Sequence, residues 1–351
     1  MQDLEENFLE KTQNFSILPR RFGLKRGKIH LYGAPKCGKT SIALDFAKHF
    51  KKPIYIDCKD PRVDIDLTKS LLLKIYLEKN IDILILDNYI CDFPLPNLEN
   101  IILITPSKNT NNITLPHDFI SKQIHPLNFE EYVSFDKKNL SITTLFNHFL
   151  KDGNLPEIQY LYEYQKIPRK QEINSLAFEH KKYLFGNLLS YQARQVTTNQ
   201  IYTQLKKQIK ISKDKIYQYI HEFQQDQVIY FLPHIQDPSK PKKIYFYDFS
   251  LPYAFSATKS FQSIFENMIF LELLCKNKTL YYDQGCEFIT QDNHAYLAFA
   301  FPTPQTIEEK IKKIQTKYSK ITLITINYQS GGKTPYSQWQ AISFINFALD
   351  A

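Results

Sequence analysis

The stretch Gly33-Ala34-Pro35-Lys36-Cys37-Gly38-Lys39-Thr40, continued by Ser41, constrains this chain more than any other. It has the spacing of a phosphate-binding loop. Its flanks are those the loop requires: Lys28-Ile29-His30-Leu31-Tyr32 reads as a strand, and Ser41 to Ala47 as the opening of a helix. The chemistry accounts for the residue types. Gly33 and Gly38 let the backbone curl so that successive N–H groups face an anion, and the following helix adds its positive end. Lys39 supplies a point charge for the β- and γ-phosphates of a nucleoside triphosphate, and Thr40 a hydroxyl for Mg²⁺. A tight glycine turn between strand and helix is the plain alternative, and the correct flanks favour ATP binding over residues 33–41. No residue pattern reads the base, so ATP and GTP are not distinguished.

The segments that follow read as alternating strands and helices, which implies a parallel sheet with ligand at the carboxyl ends of its strands. Lys52 to Asp57 is a second buried strand, and Asp66 to Lys79 has helical apolar spacing at Leu67, Leu71, Leu72 and Ile75. Ile81 to Asn88 is a near-continuous apolar run, as a strand buried on both faces needs. Its terminal carboxylate, Asp87, stands where a Walker B aspartate holds Mg²⁺. Asn100 to Thr105 is a further strand, and Thr105 or Ser107 at its end is a candidate γ-phosphate sensor. Before the loop, the first segment reads as a helix followed by a basic stretch over residues 19–26.

From Lys182 the pattern changes to short helices: Tyr183 to Arg194, Thr198 to Gln208 with Thr197 or Thr198 as cap, and Lys213 to Gln225 capped by Ser212. Two strands follow, Val228 to Leu232 and Lys243 to Asp248, around a basic proline-bearing tip over residues 237–242. Three helices and a β-hairpin make a winged helix. Lys213, Lys215 and Gln218 on the third helix, with Lys240 and Lys242 on the wing, are the candidate DNA contacts. A packing lid with a solvated lysine surface is the alternative.

With His125-Pro126-Leu127-Asn128-Phe129-Glu130-Glu131-Tyr132, these segments resemble prokaryotic AAA+-type ATPases of the archaeal-ATPase group. Gly153-Asn154-Leu155-Pro156-Glu157, Asp248 with Ser250-Leu251, and Glu266-Asn267 are similar to elements of that family. The resemblance implies a tail with a restriction-endonuclease-like fold. Glu287 stands near the place of a metal-binding acid there, but the strand Ala295 to Phe301 has neither carboxylate nor lysine. The tail is therefore expected to be an inactive structural or protein-interaction domain. The resemblance also implies glutamate after the Walker B aspartate, where this chain has Asn88. An amide orients water but takes no proton, so Lys39, Asp87 and Asn88 are expected to support slow or partner-stimulated hydrolysis. Arg20, Arg21 and Arg62 are weak arginine-finger candidates.

The expected architecture is α/β: a P-loop AAA+-like ATPase domain over residues 1–160, a helical lid and winged helix over 161–255, and a nuclease-like α/β domain over 256–351. The length of 351 residues suits such a division. Five scattered cysteines without a CxxC pair fit neither a zinc site nor a disulfide framework. The acidic start and the absence of a long apolar run give a cytoplasmic expectation with no membrane partner. A net charge of +8 is compatible with nucleic acid. The functional expectation is a nucleotide-dependent switch with ATP and Mg²⁺. Its alternatives are a non-hydrolysing ATP-bound scaffold and a DNA-binding protein with a regulatory nucleotide.

Overall fold

The computed structural model describes residues 8, 12, 20–89, 95–108, 115, 117–256, 259–276 and 278–349. The helix expected over the first segment lies outside the described residues apart from Phe8 and Thr12, both helical. The chain forms two compact units, residues 1–125 with 225–228 and residues 126–224 with 229–351.

The first unit is a five-stranded sheet flanked by helices. Its strands are β1 (Lys28–Tyr32), β2 (Pro53–Asp57), β3 (Ile83–Asp87), β4 (Ile101–Thr105) and β5 (Ile120–Gln123), with helices α1 (Lys39–Ala47) and α2 (Ile65–Leu77). The order is β2-β3-β4-β1-β5, every pairing parallel. Alternation along the strands explains the two helical layers. Leu31, Ile83, Ile85, Ile102 and Ile104 face α1 residues Ile42, Ala43, Leu44 and Ala47. Ile54, Ile56, Leu84, Leu86, Ile101 and Leu103 face α2 residues Leu72 and Ile75. Both faces are covered, so β3 and β4 are buried along their whole length. This is a P-loop NTPase arrangement. β5 has no counterpart in the sequence reading because its residues, Ile-Ser-Lys-Gln, carry no apolar run and lie at the sheet edge.

The second unit begins with α3 (Phe129–Ser134), α4 (Ile142–Asp152), α5 (Glu163–Phe178) and α6 (Lys182–Leu189). A three-stranded sheet in the order β6-β8-β7 follows, from β6 (Gln195–Val196), β7 (Ile229–Leu232) and β8 (Lys242–Phe246). Helices α7 (Thr198–Leu205) and α8 (Lys213–Gln225) precede its hairpin. Thr197 caps α7 with a full capping box, and Ser212 Oγ accepts the Lys215 N–H at 3.3 Å. The helix expected through Arg194 stops at Leu189, because Ala193 turns to φ 58° and its N–H joins the Ile244 carbonyl. Helices α9 (Leu251–Phe255) and α10 (Phe261–Cys275) lead to β9 (Leu280–Asp283), β10 (Cys286–Thr290) and β11 (His294–Ala298). The chain continues through α11 (Pro304–Ile314), β12 (Lys320–Thr325), β13 (Ser330–Lys333), β14 (Gln338–Ser343) and α12 (Phe344–Leu349). Their mixed sheet has the order β13-β14-β12-β11-β10-β9. The segment around Gly331-Gly332 is strand β13, antiparallel to β14. Gly332 lies close against the Trp339 indole, where a Cβ would come within 3.0 Å. Among the described residues, no helix is long and apolar enough to cross a membrane.

Polar side chains tie this second unit together. Lys170 on α5 meets Asp248 at 3.0 Å and donates to Ser250, and all three side chains are buried. Gly153 makes room for them: at φ 79°, a Cβ there would come within 2.3 Å of Asp248 Oδ1. Asn154 Nδ2 donates to the Tyr247 carbonyl at 3.1 Å. The Asn267 amide pairs with both backbone groups of Phe246, at 2.8 and 2.9 Å. Glu266 accepts from Lys243 and Tyr245. Glu272 accepts the Phe129 N–H at 2.6 Å, capping the start of α3.

Breaking the Lys170–Asp248 pair on one side leaves a buried charge. Lys170→Met should cost about 3–5 kcal/mol in urea unfolding, and the Lys170→Met/Asp248→Asn double variant should lose clearly less than the two single losses summed. Equal additivity would mean the pair is not coupled. Burial raises the Glu272 carboxyl from 4.5 to about 7. The folded state then holds more protons than the unfolded state between those values, so this group lowers stability as pH rises through that window. Glu272→Gln keeps the carbonyl acceptor and should flatten that part of the stability–pH curve; an unchanged slope would contradict the assignment.

Candidate nucleotide site

The carboxyl edge of the first unit's sheet presents Tyr32, Thr105, Asp87 and Asp57 at the ends of β1, β4, β3 and β2. Between β1 and α1 the loop curls through Gly33 at φ 149°, Lys36 at φ 58° and Gly38 at φ 101°. A Cβ on Gly33 would sit 2.2 Å from the Ile124 carbonyl oxygen, so only glycine fits. Gly38 caps α1 without a side-chain hydrogen bond, and the first turn holds no acid. Its leading N–H groups are therefore not taken by a side-chain cap. Lys39 Nζ folds over the loop onto the Gly33 and Ala34 carbonyls, at 2.7 and 2.8 Å. Cys37 is fully buried beneath it, and Pro35, Lys36 and Ser41 complete the turn into the helix.

At the mouth of this loop, Thr40 Oγ1 donates to Asp87 Oδ2 at 2.6 Å. Tyr55 OH donates to the same oxygen at 3.0 Å, and the Asn88 N–H to Oδ1 at 2.8 Å. Asp87 is 5% exposed. Burial pushes its carboxyl up, while the Thr40 hydrogen bond, foremost of the three, opposes the rise. A hydroxyl and a carboxylate side by side are the oxygen donors a hard Mg²⁺ uses, and the loop above them suits a polyphosphate. The residues fit both groups: Thr40 and Asp87 would hold the metal, whose chemistry is to neutralise phosphate charge.

Thr105 Oγ1 donates to the Ser107 carbonyl at 2.5 Å and therefore accepts from His30 Nε2 at 2.7 Å. His30 Nδ1 accepts in turn from Ser121 at 3.1 Å. Burial, with a smaller contribution from Lys108, lowers His30 to about 4, so the ring is neutral at pH 7. His30 escaped the sequence reading; a histidine inside an apolar strand was the one available signal. Asn88, at φ 51°, turns its amide onto Asp57 at 2.8 Å. Arg20 bridges the Cys37 and His125 carbonyls at 3.0 and 2.8 Å, pinning the loop from beneath. Arg62 pairs with Asp60 two residues away.

The other candidates lie in the second unit. Lys213 and Lys215 stand exposed at the start of α8, their ammonium groups 5.9 and 5.8 Å from the Tyr217 and Tyr219 rings. Gln218 donates to Glu222 at 2.8 Å. Lys240 and Lys242 are exposed on the hairpin, Lys240 Nζ lying 3.1 Å from His234 Nε2. Glu287 pairs with Lys310 from α11 at 3.0 Å.

No protein-family model matches the chain. An uncharacterized protein of Methanocaldococcus jannaschii is 27% identical over 356 residues, covering 85% of this chain and 80% of that one. Among solved structures, the chain is similar to a signal transduction ATPase with numerous domains and a tetratricopeptide repeat sensor from Pyrococcus horikoshii. That likeness has 14% identity, a TM-score of 0.30, and covers 72% of this chain and 43% of that one. It is also similar to the Aeropyrum pernix ORC1 protein, solved in complex with DNA, at 14% identity and a TM-score of 0.31 over 67% of this chain and 87% of that one. The fold assignment rests on the strand order and the loop geometry rather than on these likenesses.

Thr40→Val removes the hydroxyl that meets Asp87 while keeping the side-chain volume. Titrations should show Mg²⁺-dependent ATP binding weakened at least about 10–100-fold, with Mg²⁺-free binding little changed. Equal loss in both conditions would place the effect in the loop and not in the metal.

Proposed function

We propose that this chain is an AAA+-type P-loop ATPase that binds ATP with Mg²⁺ and works as a nucleotide-dependent switch on DNA. The observation that carries the reading is the Thr40–Asp87 hydrogen bond at 2.6 Å, beneath a glycine-turned loop at the carboxyl edge of a parallel sheet. It joins the two motifs that a magnesium–triphosphate site needs. Lys39 with the backbone of residues 33–41 takes the phosphates, and Thr105 with Ser107 reports the γ-phosphate through the His30 network.

The proposed division is an ATPase domain, a winged helix and a nuclease-like tail without nuclease activity. Helices α7 and α8 with the β7–β8 hairpin support the winged helix. Lys213, Lys215, Tyr217 and Gln218 are exposed on α8, and Lys240 and Lys242 at the hairpin tip, where phosphate could be reached. The tail is the proposed surface for a protein partner. One observation favours a second reading, an ATP-bound scaffold: Asn88 offers no carboxylate and spends its amide on Asp57.

Mg²⁺-dependent ATP turnover, measured with and without duplex DNA and with Lys39→Ala as the blank, tests the proposal. The switch reading expects turnover that DNA accelerates. It also expects DNA affinity that falls steeply with salt and weakens in a Lys213→Ala/Lys240→Ala/Lys242→Ala variant. Tight ATP binding without turnover, and no DNA effect, would establish the scaffold instead.

A further inference from the structure

The residue after Asp87 is an amide, but the neighbouring strand β2 ends in a second carboxylate. Asp57 ends β2 and pairs in register with Asp87 at the end of β3. It is half-buried, and its Oδ1 accepts from Asn88 Nδ2 at 2.8 Å and from the Lys59 N–H at 3.0 Å. Among the described residues no donor reaches its Oδ2. Asn88 adopts φ 51°, a left-handed conformation that asparagine tolerates better than most side chains, and from there its amide reaches Asp57. Asp87 itself is unsuited to proton transfer, with both oxygens hydrogen-bonded and the carboxyl buried. The two aspartates thus differ: one enclosed with both oxygens hydrogen-bonded, the other half-buried and anchored through one oxygen.

We propose that Asp57 is the catalytic carboxylate of this site and that Asn88 is its positioning residue. This rests on the P-loop ATPase reading above. In the step, a water oxygen bonds to the γ-phosphorus as the bond from that phosphorus to the β–γ bridging oxygen breaks. The electron pair leaves on the β-phosphate of ADP, and the water's proton passes to Asp57 Oδ2 and on to solvent. The Asn88 amide holds the carboxylate in place through the other oxygen. The carboxylate stands at the end of β2, and the amide that follows β3 orients it.

The experiment compares the full chain with its Asp57→Asn, Asp57→Asn/Asn88→Glu and Lys39→Ala variants. Four quantities are read: ATP turnover in Mg²⁺, ATP affinity in Mg²⁺, thermal midpoint, and the fraction of bound nucleotide recovered as ATP after incubation. Asp57→Asn keeps an oxygen for Asn88 and should retain ATP affinity and thermal midpoint. Its turnover should fall about 10²–10⁴-fold, with the bound nucleotide recovered as ATP. Asn88→Glu on that background restores a carboxylate on β3 and should recover turnover. Parental turnover in Asp57→Asn overturns the assignment, as does a parent that holds ATP without hydrolysing it. In that last case the ATP-binding reading survives; it fails separately if Lys39→Ala binds ATP as the parent does.

Discussion

The hydrogen bond from Thr40 to Asp87 is the contact that joins the phosphate-loop turn to the sheet in the first unit. It links the first turn of the helix after the loop to the end of a strand two places away in the sheet. That reach is possible because β4 lies between β1 and β3, so the strand ends converge on one edge with α1 above them. Burial makes the carboxylate costly, and the donors Thr40, Tyr55 and the Asn88 N–H offset that cost while fixing its orientation. Arg20 and the Ile124 carbonyl then constrain the loop from the other side, leaving Gly33 no room for a side chain. Each Asp87 oxygen is thus tied to backbone or sheet.

The second unit solves a different problem. Its helices pack with two separate sheets, of three and six strands, and buried polar side chains register its parts. Asn267 reads the backbone of Phe246 as a neighbouring strand would, and Glu266 beside it takes Lys243 and Tyr245. Lys170 meets Asp248 and Ser250 over Gly153. The Gly153, Asp248 and Glu266-Asn267 segments stand out in the sequence separately, and the structure gives each a partner in this network. Such pairs specify which surfaces meet, and removing one member leaves its partner buried and unsatisfied.

Much of the first unit is legible in the sequence because its signals are local. The apolar runs of β3 and β4 have the composition of doubly covered strands, and the glycine spacing marks the turn into α1. β5 is not legible: Ile120 to Gln123 joins the sheet only because β1 offers it an edge. The same limit hides the contacts of His30 and Asp57. Neither belongs to a spacing pattern, and each is held by residues distant in sequence, Thr105 and Ser121 for one and Asn88, just after β3, for the other. In the second unit, the hairpin and α8 follow from caps and alternation. The end of α6 is set instead by a distant carbonyl, Ile244, which captures the Ala193 N–H.

The aromatic cluster of the second unit has a consequence for biosynthesis. Phe129, Phe146 and Phe149 pack against Phe344, whose ring lies 5.7, 5.4 and 6.5 Å from theirs. Chain emerging from the ribosome therefore carries α3 and α4 without the Phe344 ring until α12 has been made. The parallel sheet of the first unit, by contrast, has all five strands by Gln123. For most of translation, the nascent second unit presents adhesive aromatic surface, the state in which a chain most needs a chaperone.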